Sequence, residues 1–428
     1  MSALRVALCL NLALVVAAAA EAQTARPPRS TRGLFGPQND QPRRPQTIDF
    51  TMSLNEGYDN SGTDRLAVDS LSIPYRQAGL YSNLEAGLRY TRVRRERRLT
   101  ATAGTAVRYY PVPYKLLLPN YQGGVSFASP LWRSGRLAVS QDFGYTPSYQ
   151  LDVFPTLSLD AAHTPNPTPG DYAMSKQPAY MSTSGIQFVQ ILTPRSALQF
   201  AYDRRSVMLS GHAGDLMTQG GGIKFTHHVS RYAGVHAGIG SRLGQYARST
   251  GPTRVWVRDV DIGLDYDRPL SFSRRTTLRF ASGSSLVPQD GKTYYRVTGN
   301  VSLAHEIGRS WTAILRYDRR LQFIEALPRP FFSDAVAASV TGHPSRKVDL
   351  ALAAAYSAGA IGVAGDAGGL GAYTGSASIG LSLNRHLALS SEYLYYHYRF
   401  DQQSLAAFPA RLDRQTVRIG LKLWFPLE

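Results

Sequence analysis

The strongest constraint in the sequence is a two-residue alternation of apolar and polar side chains that recurs from residue 47 to the end of the chain. It is clear in TIDFTMSLNEGYDN (47–60) and again in TVRIGLKLWF (416–425). Successive side chains of a β-strand point to opposite faces, so this period predicts strands with one apolar and one polar face. The sequence therefore predicts an all-β fold.

The connections between these segments are alternately short and long. The short ones are often basic, as in RRER (94–97), and the long ones are acidic or rich in Gly and Pro, as in 60–77. Short periplasmic turns and longer extracellular loops are typical of antiparallel up-and-down transmembrane β-barrels. A soluble β-sandwich would also alternate, but it would bury its apolar face against a second sheet.

Counting the segments between connections predicts about 18 strands, within a range of 16–18. The predicted strands lie near 47–59, 79–93, 98–110, 120–132, 136–149, 180–192, 197–208, 216–229, 233–247, 255–269, 275–285, 294–307, 311–323, 333–342, 348–360, 371–383, 387–400 and 414–427. An even number brings both ends of the barrel to one side of the membrane, as in single-chain bacterial barrels.

The N-terminal region divides into two parts before the predicted barrel of 47–428. Residues 1–22 have an early cation, an apolar run and the pair Ala20 and Ala22, which is the layout of a cleaved signal peptide. Residues 23–46 are rich in Pro and Arg and predict a flexible periplasmic tail. The only cysteine, Cys9, lies in the predicted signal peptide, so neither a disulfide nor a cysteine metal site is expected.

The charge balance bears on the partners of such an exported chain. The formal net charge is +17, and most of the excess is arginine. A soluble protein this basic could bind nucleic acid, but an exported chain meets little of it. The expected partners are therefore outer-membrane lipid, lipopolysaccharide and anionic solutes or saccharides, and no nucleic acid partner is predicted.

Three stretches carry a resemblance to a known class of proteins. They are EGYDN (56–60), SSEYLYYHYRFD (390–401) and RQTVRIGLKLWFPL (414–427). Together they resemble outer-membrane β-barrels of Gram-negative bacteria, and the whole mature chain looks most similar to poorly characterised barrels, some of them linked to exopolysaccharide-secretion loci. The resemblance implies location in the outer membrane and recognition of the last strand by the barrel-assembly machinery. The last aromatic residue here is Phe425, three positions before the end.

The stretch DVDIGLDYD (259–267) places four acids on one parity and four apolar side chains on the other. A charge near the bilayer midplane costs about 2–4 kcal/mol, so the apolar parity should face lipid and the acids the lumen. A D-x-D pair also suggests a metal site, but alternate strand residues about 7 Å apart do not converge as calcium ligands do. We expect a charge ladder with arginines of the two neighbouring strands. Its predicted members are Asp259, Asp261, Asp265, Asp267, Arg242, Arg275 and Arg279.

Further arginines share the predicted lumen parity of their strands. Rings of basic side chains favour anions, so these residues are expected to bias the pore toward anions. The alternative is that they pair with lumen acids and fill a narrow interior. The candidate pore-lining residues are Arg89, Arg108, Arg296, Arg316, Arg320 and Arg418.

The longest connection, 150–179, is the third outer loop of the predicted barrel. Its resemblance to the third loop of porins implies a constriction inside the channel, and a solvated outer loop is the other interpretation. The charged residues that would line the constriction are Asp152, Asp160, Asp171 and Lys176.

Three functions follow as hypotheses. The first is an outer-membrane channel with an arginine-rich lumen that passes small anionic solutes or acidic saccharides. The second is a non-conductive barrel that serves an envelope or exopolysaccharide secretion assembly. The third is a hydrolase at the barrel rim, which the sequence supports least because no G-x-S-x-G motif is present. No enzyme activity, metal or cofactor is predicted.

Overall fold

The structure is a computed structural model that describes residues 45–62, 79–111, 115–148, 178–210, 215–230, 232–247, 251–270, 273–289, 291–325, 327, 329–363, 368–400 and 411–427. Eighteen strands lie in this part of the chain. They are β1 (Gln46–Gly62), β2 (Gly79–Arg94), β3 (Arg97–Tyr110), β4 (Leu116–Trp132), β5 (Gly135–Thr146), β6 (Ala179–Thr193), β7 (Ser196–Leu209), β8 (Leu216–His228), β9 (Ala233–Tyr246), β10 (Thr253–Leu270), β11 (Ser273–Gln289), β12 (Lys292–Ile307), β13 (Trp311–Gln322), β14 (Phe331–Ser345), β15 (Val348–Ile361), β16 (Gly369–Ser382), β17 (Leu387–Phe400) and β18 (Arg411–Leu427).

The strands form one closed antiparallel barrel. Each strand pairs with the next along the chain, and β1 pairs with β18 from Ile48 opposite Leu427 to Gly62 opposite Asp413. Closure removes the sheet edges that would otherwise leave backbone groups without partners in lipid. The predicted barrel and its strand number are confirmed.

The two faces of the wall differ in polarity as the alternation requires. Apolar side chains such as Ile262, which is 71% exposed, and Ile239 point outward, and Ser53, Asn55 and Asp59 of β1 are buried on the inner face. Outward apolar side chains meet lipid at no cost, whereas inward polar ones can pair across the lumen. The DVDIGLDYD parity therefore places Ile262 and Leu264 outside.

Short turns gather at one end of the barrel, which we call the turn end, and the remaining connections at the loop end. The turns at 95–96, 194–195 and 346–347 are two residues long. The predicted strands 275–285 and 294–307 leave a long connection at 286–293, and this is wrong, because β11 extends to Gln289 and β12 begins at Lys292. Gly291, with φ of 75°, adopts the left-handed conformation that so tight a turn favours. Among the described residues, no helix is long and apolar enough to cross a membrane.

Candidate functional site

The connection between β13 and β14 folds into the interior of the barrel at the loop end. Its Ile324 and Leu327, together with Phe331 at the start of β14, are almost completely buried. They form one apolar cluster with inward side chains near the loop ends of six other strands, namely Ala179, Val207, Leu209, Ile361, Leu370, Ala372, Tyr396, Tyr398, Phe400 and Leu412. Burying a Leu, Ile or Phe side chain stabilises by roughly 1.5–3 kcal/mol, so this packing holds the connection inside.

A second apolar cluster adjoins the first and includes Leu321 and Phe323. Its other members are Leu216, Tyr246, Val257, Val287 and Val363. The ring centroids of Tyr246 and Phe323 are 6.3 Å apart. Because three strands separate β9 from β13 in the wall, this contact shows that the chain directly after β13 extends into the lumen. We call the described residues 321–325, 327 and 329–331 the loop-end plug.

The acids of DVDIGLDYD find partners on neighbouring strands. Arg242 donates to Asp259 from Nε to Oδ2 at 2.6 Å and from Nη2 to Oδ1 at 2.9 Å. Such bidentate, charge-assisted pairs are among the stronger hydrogen bonds in proteins. The same arginine donates from Nη1 to the carbonyl of Leu321 at 3.0 Å, so the ladder also anchors the loop-end plug.

Asp261 is held by two residues that the sequence analysis missed. The distance from its carboxylate is 3.0 Å to His236 Nε2 and 3.4 Å to Lys224 Nζ. Lys224 lies two strands away, but both Lys224 and Asp261 are opposite Gly238 in register. Because Gly238 has no side chain, the Lys224 side chain can extend across it to Asp261. A glycine on the lumen parity, between a strand with a lysine and a strand with an aspartate, is the sequence signal that could have predicted this contact.

The remaining ladder residues lie on the strands that the sequence assigned to them. Asp265 and Asp267 belong to β10, and Arg275 and Arg279 to β11. Asp267 is directly opposite Arg279 in the backbone register.

Several of the predicted pore-lining arginines are in fact engaged. Arg418 donates from Nε to Glu392 Oε2 at 2.7 Å, and Lys422 Nζ donates to the other oxygen of the same carboxylate at 2.8 Å. Arg316 Nε is 2.6 Å from Asp318 Oδ2.

The other predicted pore-lining arginines are placed in three different ways. Arg108 is buried, with its guanidinium 4.4 Å from the centre of the Tyr81 ring. Arg296 donates to the carbonyl of Val363, and Arg320 is half-buried on β13. Arg89 is exposed and makes no ion pair within the described residues. Of the six predicted residues, Arg316 and Arg418 pair with carboxylates, whereas Arg108 contacts a ring and Arg296 a carbonyl oxygen.

A buried pair joins the first and last strands at the loop end, and the sequence analysis did not find it. Arg414 Nε donates to Asp59 Oδ1 at 3.0 Å, and the Tyr110 hydroxyl donates to Asp59 Oδ2 at 3.1 Å. Asp59 and Arg414 are almost completely buried. They are far apart in sequence, so only the closure of β1 on β18 brings them together.

The turn-end half of the lumen differs from the loop-end half. A cavity of about 630 Å³ lies along the inner face of β2 to β7. Its polar lining consists of Arg89, Arg98, Thr100, Thr102, Ser126, Ser140, Gln187 and Gln199. In the part of the chain that the structure describes, no carboxylate lines this cavity. It is a basic surface rich in hydroxyl and amide groups.

Two further expectations concern loops and metals. Asp152, Asp160, Asp171 and Lys176, the residues of the expected constriction, lie outside the described residues. The described segment that narrows the lumen is the loop-end plug, which lies largely in the connection between the predicted strands 311–323 and 333–342. Within the described ranges, no group of three or more His, Cys, Asp or Glu side chains could hold a metal ion.

A serine and a histidine also meet at the turn end. Ser196 Oγ is 2.9 Å from His227 Nδ1. Hydrolytic triads need a third group that orients the histidine. No carboxylate bonds to His227 in the described part of the chain.

No protein-family model matches the chain. No curated protein matches it. The barrel is similar to solved outer-membrane structures, among them OpdQ of Pseudomonas aeruginosa, with 8% identity, 90% of this chain and 98% of that chain covered, and a TM-score of 0.43. OccAB4 of Acinetobacter baumannii gives 11% identity, coverage of 89% and 98%, and a TM-score of 0.43. The FrpB iron transporter of Neisseria meningitidis is 7% identical, with 88% of this chain and 81% of that chain covered and a TM-score of 0.43. These likenesses assign no substrate to this chain.

The location of the protein follows from its own architecture. A closed antiparallel barrel with apolar side chains outside and polar side chains inside is built to span a membrane. Even-numbered antiparallel barrels of this kind are characteristic of the bacterial outer membrane. The chain is a Gram-negative outer-membrane β-barrel protein, surrounded by lipid and lipopolysaccharide.

Proposed function

We propose that the protein is an outer-membrane channel that passes small anionic solutes or acidic saccharides. The observation that supports it best is the lumen cavity of β2 to β7, whose polar lining among the described residues consists of two arginines and of hydroxyl and amide side chains. Guanidinium groups bind carboxylates and phosphates, and neutral polar side chains suit sugar hydroxyls. Such a wall favours anions in the way that basic rings in pores do.

The charge of the cavity does not depend on the whole excess of +17. Arg242, Arg316 and Arg418 are held by carboxylates and contribute little net field. Arg89 is exposed to the lumen and forms no ion pair within the described residues, although Asp49 of β1 lies opposite it in the backbone register. The selectivity should therefore rest on few residues, with Arg89 foremost.

The loop-end plug narrows the lumen in this conformation of the barrel. It fills the loop-end interior with two apolar clusters, whereas the cavity lies nearer the turn end. We expect a small unit conductance that rises when the plug is displaced, because a barrel of this strand number is wide enough for an aqueous channel unless loops fill it.

A reversal-potential measurement in planar bilayers tests the proposal. Under a potassium chloride gradient the protein should prefer chloride, and Arg89→Gln should move the reversal potential toward the unselective value. Arg92→Gln is the matched control, since Arg92 is an exposed arginine of the same strand on the outward parity. Cation preference of the unaltered protein, or equal shifts in both variants, would contradict anion selectivity. Absence of any conductance would favour the non-conductive barrel that serves a secretion assembly.

We also infer that β18 is the segment recognised by the barrel-assembly machinery. Its Phe425 is exposed on the outward face and lies opposite Phe50 of β1. Phe425→Ala should lower the amount of heat-modifiable, folded barrel in the outer membrane, and Phe127→Ala, which removes an outward aromatic ring from β4, should not.

A further inference from the structure

The outer wall of β7 to β10 carries three arginines near the loop end. Arg204 of β7 and Arg254 and Arg258 of β10 are exposed and lie on the outward parity of their strands. Among the described residues of β7 to β12, no Asp or Glu lies on the outward parity. We call Arg204, Arg254, Trp256 and Arg258 the outer arginine patch.

The order of residues along β10 sets the height of the patch in the membrane. From the loop end, the outward positions are Arg254, Trp256 and Arg258, followed by Val260, Ile262 and Leu264. The three apolar residues belong to the lipid-facing band, so the arginines lie at its outer boundary, where an outward charge costs little. Trp256 is 52% exposed, and tryptophan is enriched at this boundary. The patch therefore faces the headgroups of the outer leaflet.

The arginines of the patch have few partners within the barrel. Arg254 and Arg258 form no ion pair in the part of the chain that the structure describes. Arg204 donates from Nη2 to Met217 Sδ at 3.5 Å, and a thioether is only a weak acceptor. The positive charges of the patch are therefore available to an anion outside the barrel.

Other outward arginines near the loop end have carboxylate partners. Arg319 Nε of β13 is 3.7 Å from Asp334 Oδ1 of β14. Arg411 of β18 donates from Nε to Asp413 Oδ2 at 2.8 Å. The outer wall thus accommodates such acids elsewhere, and the described strands of β7 to β12 lack them on this face.

Small outward residues lie between the two sides of the patch. In one row of the wall, Tyr202 is opposite Gly221, Gly221 is opposite Ser241, and Ser241 is opposite Arg258. This row spans three strand spacings, or about 14 Å. A Cβ at Gly221 would meet no atom closer than 3.7 Å, so the space above it is open. The row is a shallow depression, with Arg258 at one end and Arg204, beside Tyr202 on the same strand, at the other.

We propose that the outer arginine patch binds one lipopolysaccharide molecule through its phosphate groups. Arg254 and Arg258 would hold one phosphate and Arg204 the other, with the sugars over the depression. Guanidinium groups bind phosphate through parallel, charge-assisted hydrogen bonds. Two separated basic sides fit a disaccharide headgroup with two phosphates better than a phospholipid with one, and the longer loops of such barrels face the outside. The site lies outside the lumen and is independent of the proposed channel.

A binding titration tests the proposal. The full barrel in detergent is titrated with bis-phosphorylated lipid A, and native mass spectrometry gives the bound fraction. Arg254→Gln with Arg258→Gln should weaken binding by about tenfold or more, because charge-assisted hydrogen bonds are lost. Arg92→Gln with Arg94→Gln, which removes two exposed outward arginines at the turn end of β2, should leave the affinity unchanged. Equal losses in both variants, or no loss in the first, would overturn the proposal.

Three further arms use the unaltered barrel, so they remain informative if a variant fails the heat-modifiability check of folding. Binding should weaken as sodium chloride is added, because exposed charges are screened, and binding that ignores salt would overturn the phosphate contacts. Monophosphorylated lipid A should bind more weakly than the bis-phosphorylated form, and equal affinity would overturn the two-sided arrangement. Phosphatidylglycerol that binds as tightly as bis-phosphorylated lipid A would overturn the assignment to lipopolysaccharide.

A cross-linking experiment in the outer membrane separates a site from general contact with the leaflet. The photoreactive p-benzoylphenylalanine replaces Trp256 in one variant and Tyr121, an exposed outward tyrosine near the loop end of β4, in the other. Both positions should form lipopolysaccharide adducts on illumination. Adding Arg254→Gln and Arg258→Gln should reduce the adduct at position 256 and leave that at 121 unchanged. An adduct at 256 that persists, or an equal fall at both positions, would overturn the site.

Discussion

The two halves of the lumen differ in how completely side chains fill the interior. At the loop end, apolar clusters and buried ion pairs such as Asp59 with Arg414 fill the interior. Toward the turn end, the inner face around an open cavity is lined by side chains that include the exposed Arg89 and Gln187. The same strands cross both halves, so the difference comes from what folds in between them.

The comparison shows that arginine content alone does not make a selective wall. In the filled half, lumen arginines are neutralised by carboxylates or stacked on rings, as Arg418 and Arg108 are. In the open half, Arg89 and Arg136 form no ion pair within the described residues. The loop-end half should therefore govern stability and gating, and the turn-end half should govern selectivity.

The largest expected effect comes from breaking the buried pair of the loop-end half. Asp59→Asn leaves the Arg414 guanidinium buried without its counter-charge and should lower the free energy of unfolding by about 3–5 kcal/mol. Urea unfolding in detergent micelles, followed by tryptophan fluorescence, measures it. Asp59→Leu with Arg414→Met should recover most of the loss, because an apolar pair of similar volume replaces buried charges at little cost. If Asp59→Asn alone is as stable as the unaltered protein, the Asp59–Arg414 pair is hydrated.

A smaller effect on stability and a larger one on conductance should follow from loosening the loop-end plug. Ile324→Ala removes a buried side chain and should cost about 2–5 kcal/mol. The plug should also spend more time displaced, so single-channel recordings should show larger or more frequent openings. Ile239→Ala, which truncates an isoleucine exposed on the outer wall, should leave the conductance unchanged. Equal conductance in both variants would show that the plug does not limit the pore.

The smallest effect on stability should come from the open half. Asp142 is exposed and forms no ion pair within the described residues, so Asp142→Asn should change the free energy of unfolding by no more than about 0.5 kcal/mol. Removing this negative charge from the lumen should nevertheless raise chloride preference in the reversal potential. A marked loss of stability, or no change in selectivity, would contradict the assignment of stability to the loop-end half and of selectivity to the turn-end half.

The alternation of the sequence by itself determined the barrel. A period of two assigns every side chain in a strand to one of two faces, and a charge costs too much on the lipid face for the assignment to invert. DVDIGLDYD therefore placed Ile262 and Leu264 outside, and the alternation of short and long connections yielded all eighteen strands. The polar parity of Arg242 likewise set it beside Asp259, its partner on the next strand.

Only the tertiary structure decided what fills the lumen. Asp59 and Arg414 meet because β1 closes on β18, and Lys224 reaches Asp261 because Gly238 leaves room between them. Ile324 and Leu327 fold inward because inward apolar side chains at the loop ends of other strands bury them. These contacts join residues remote in sequence, and local periodicity contains no information about which remote surfaces meet.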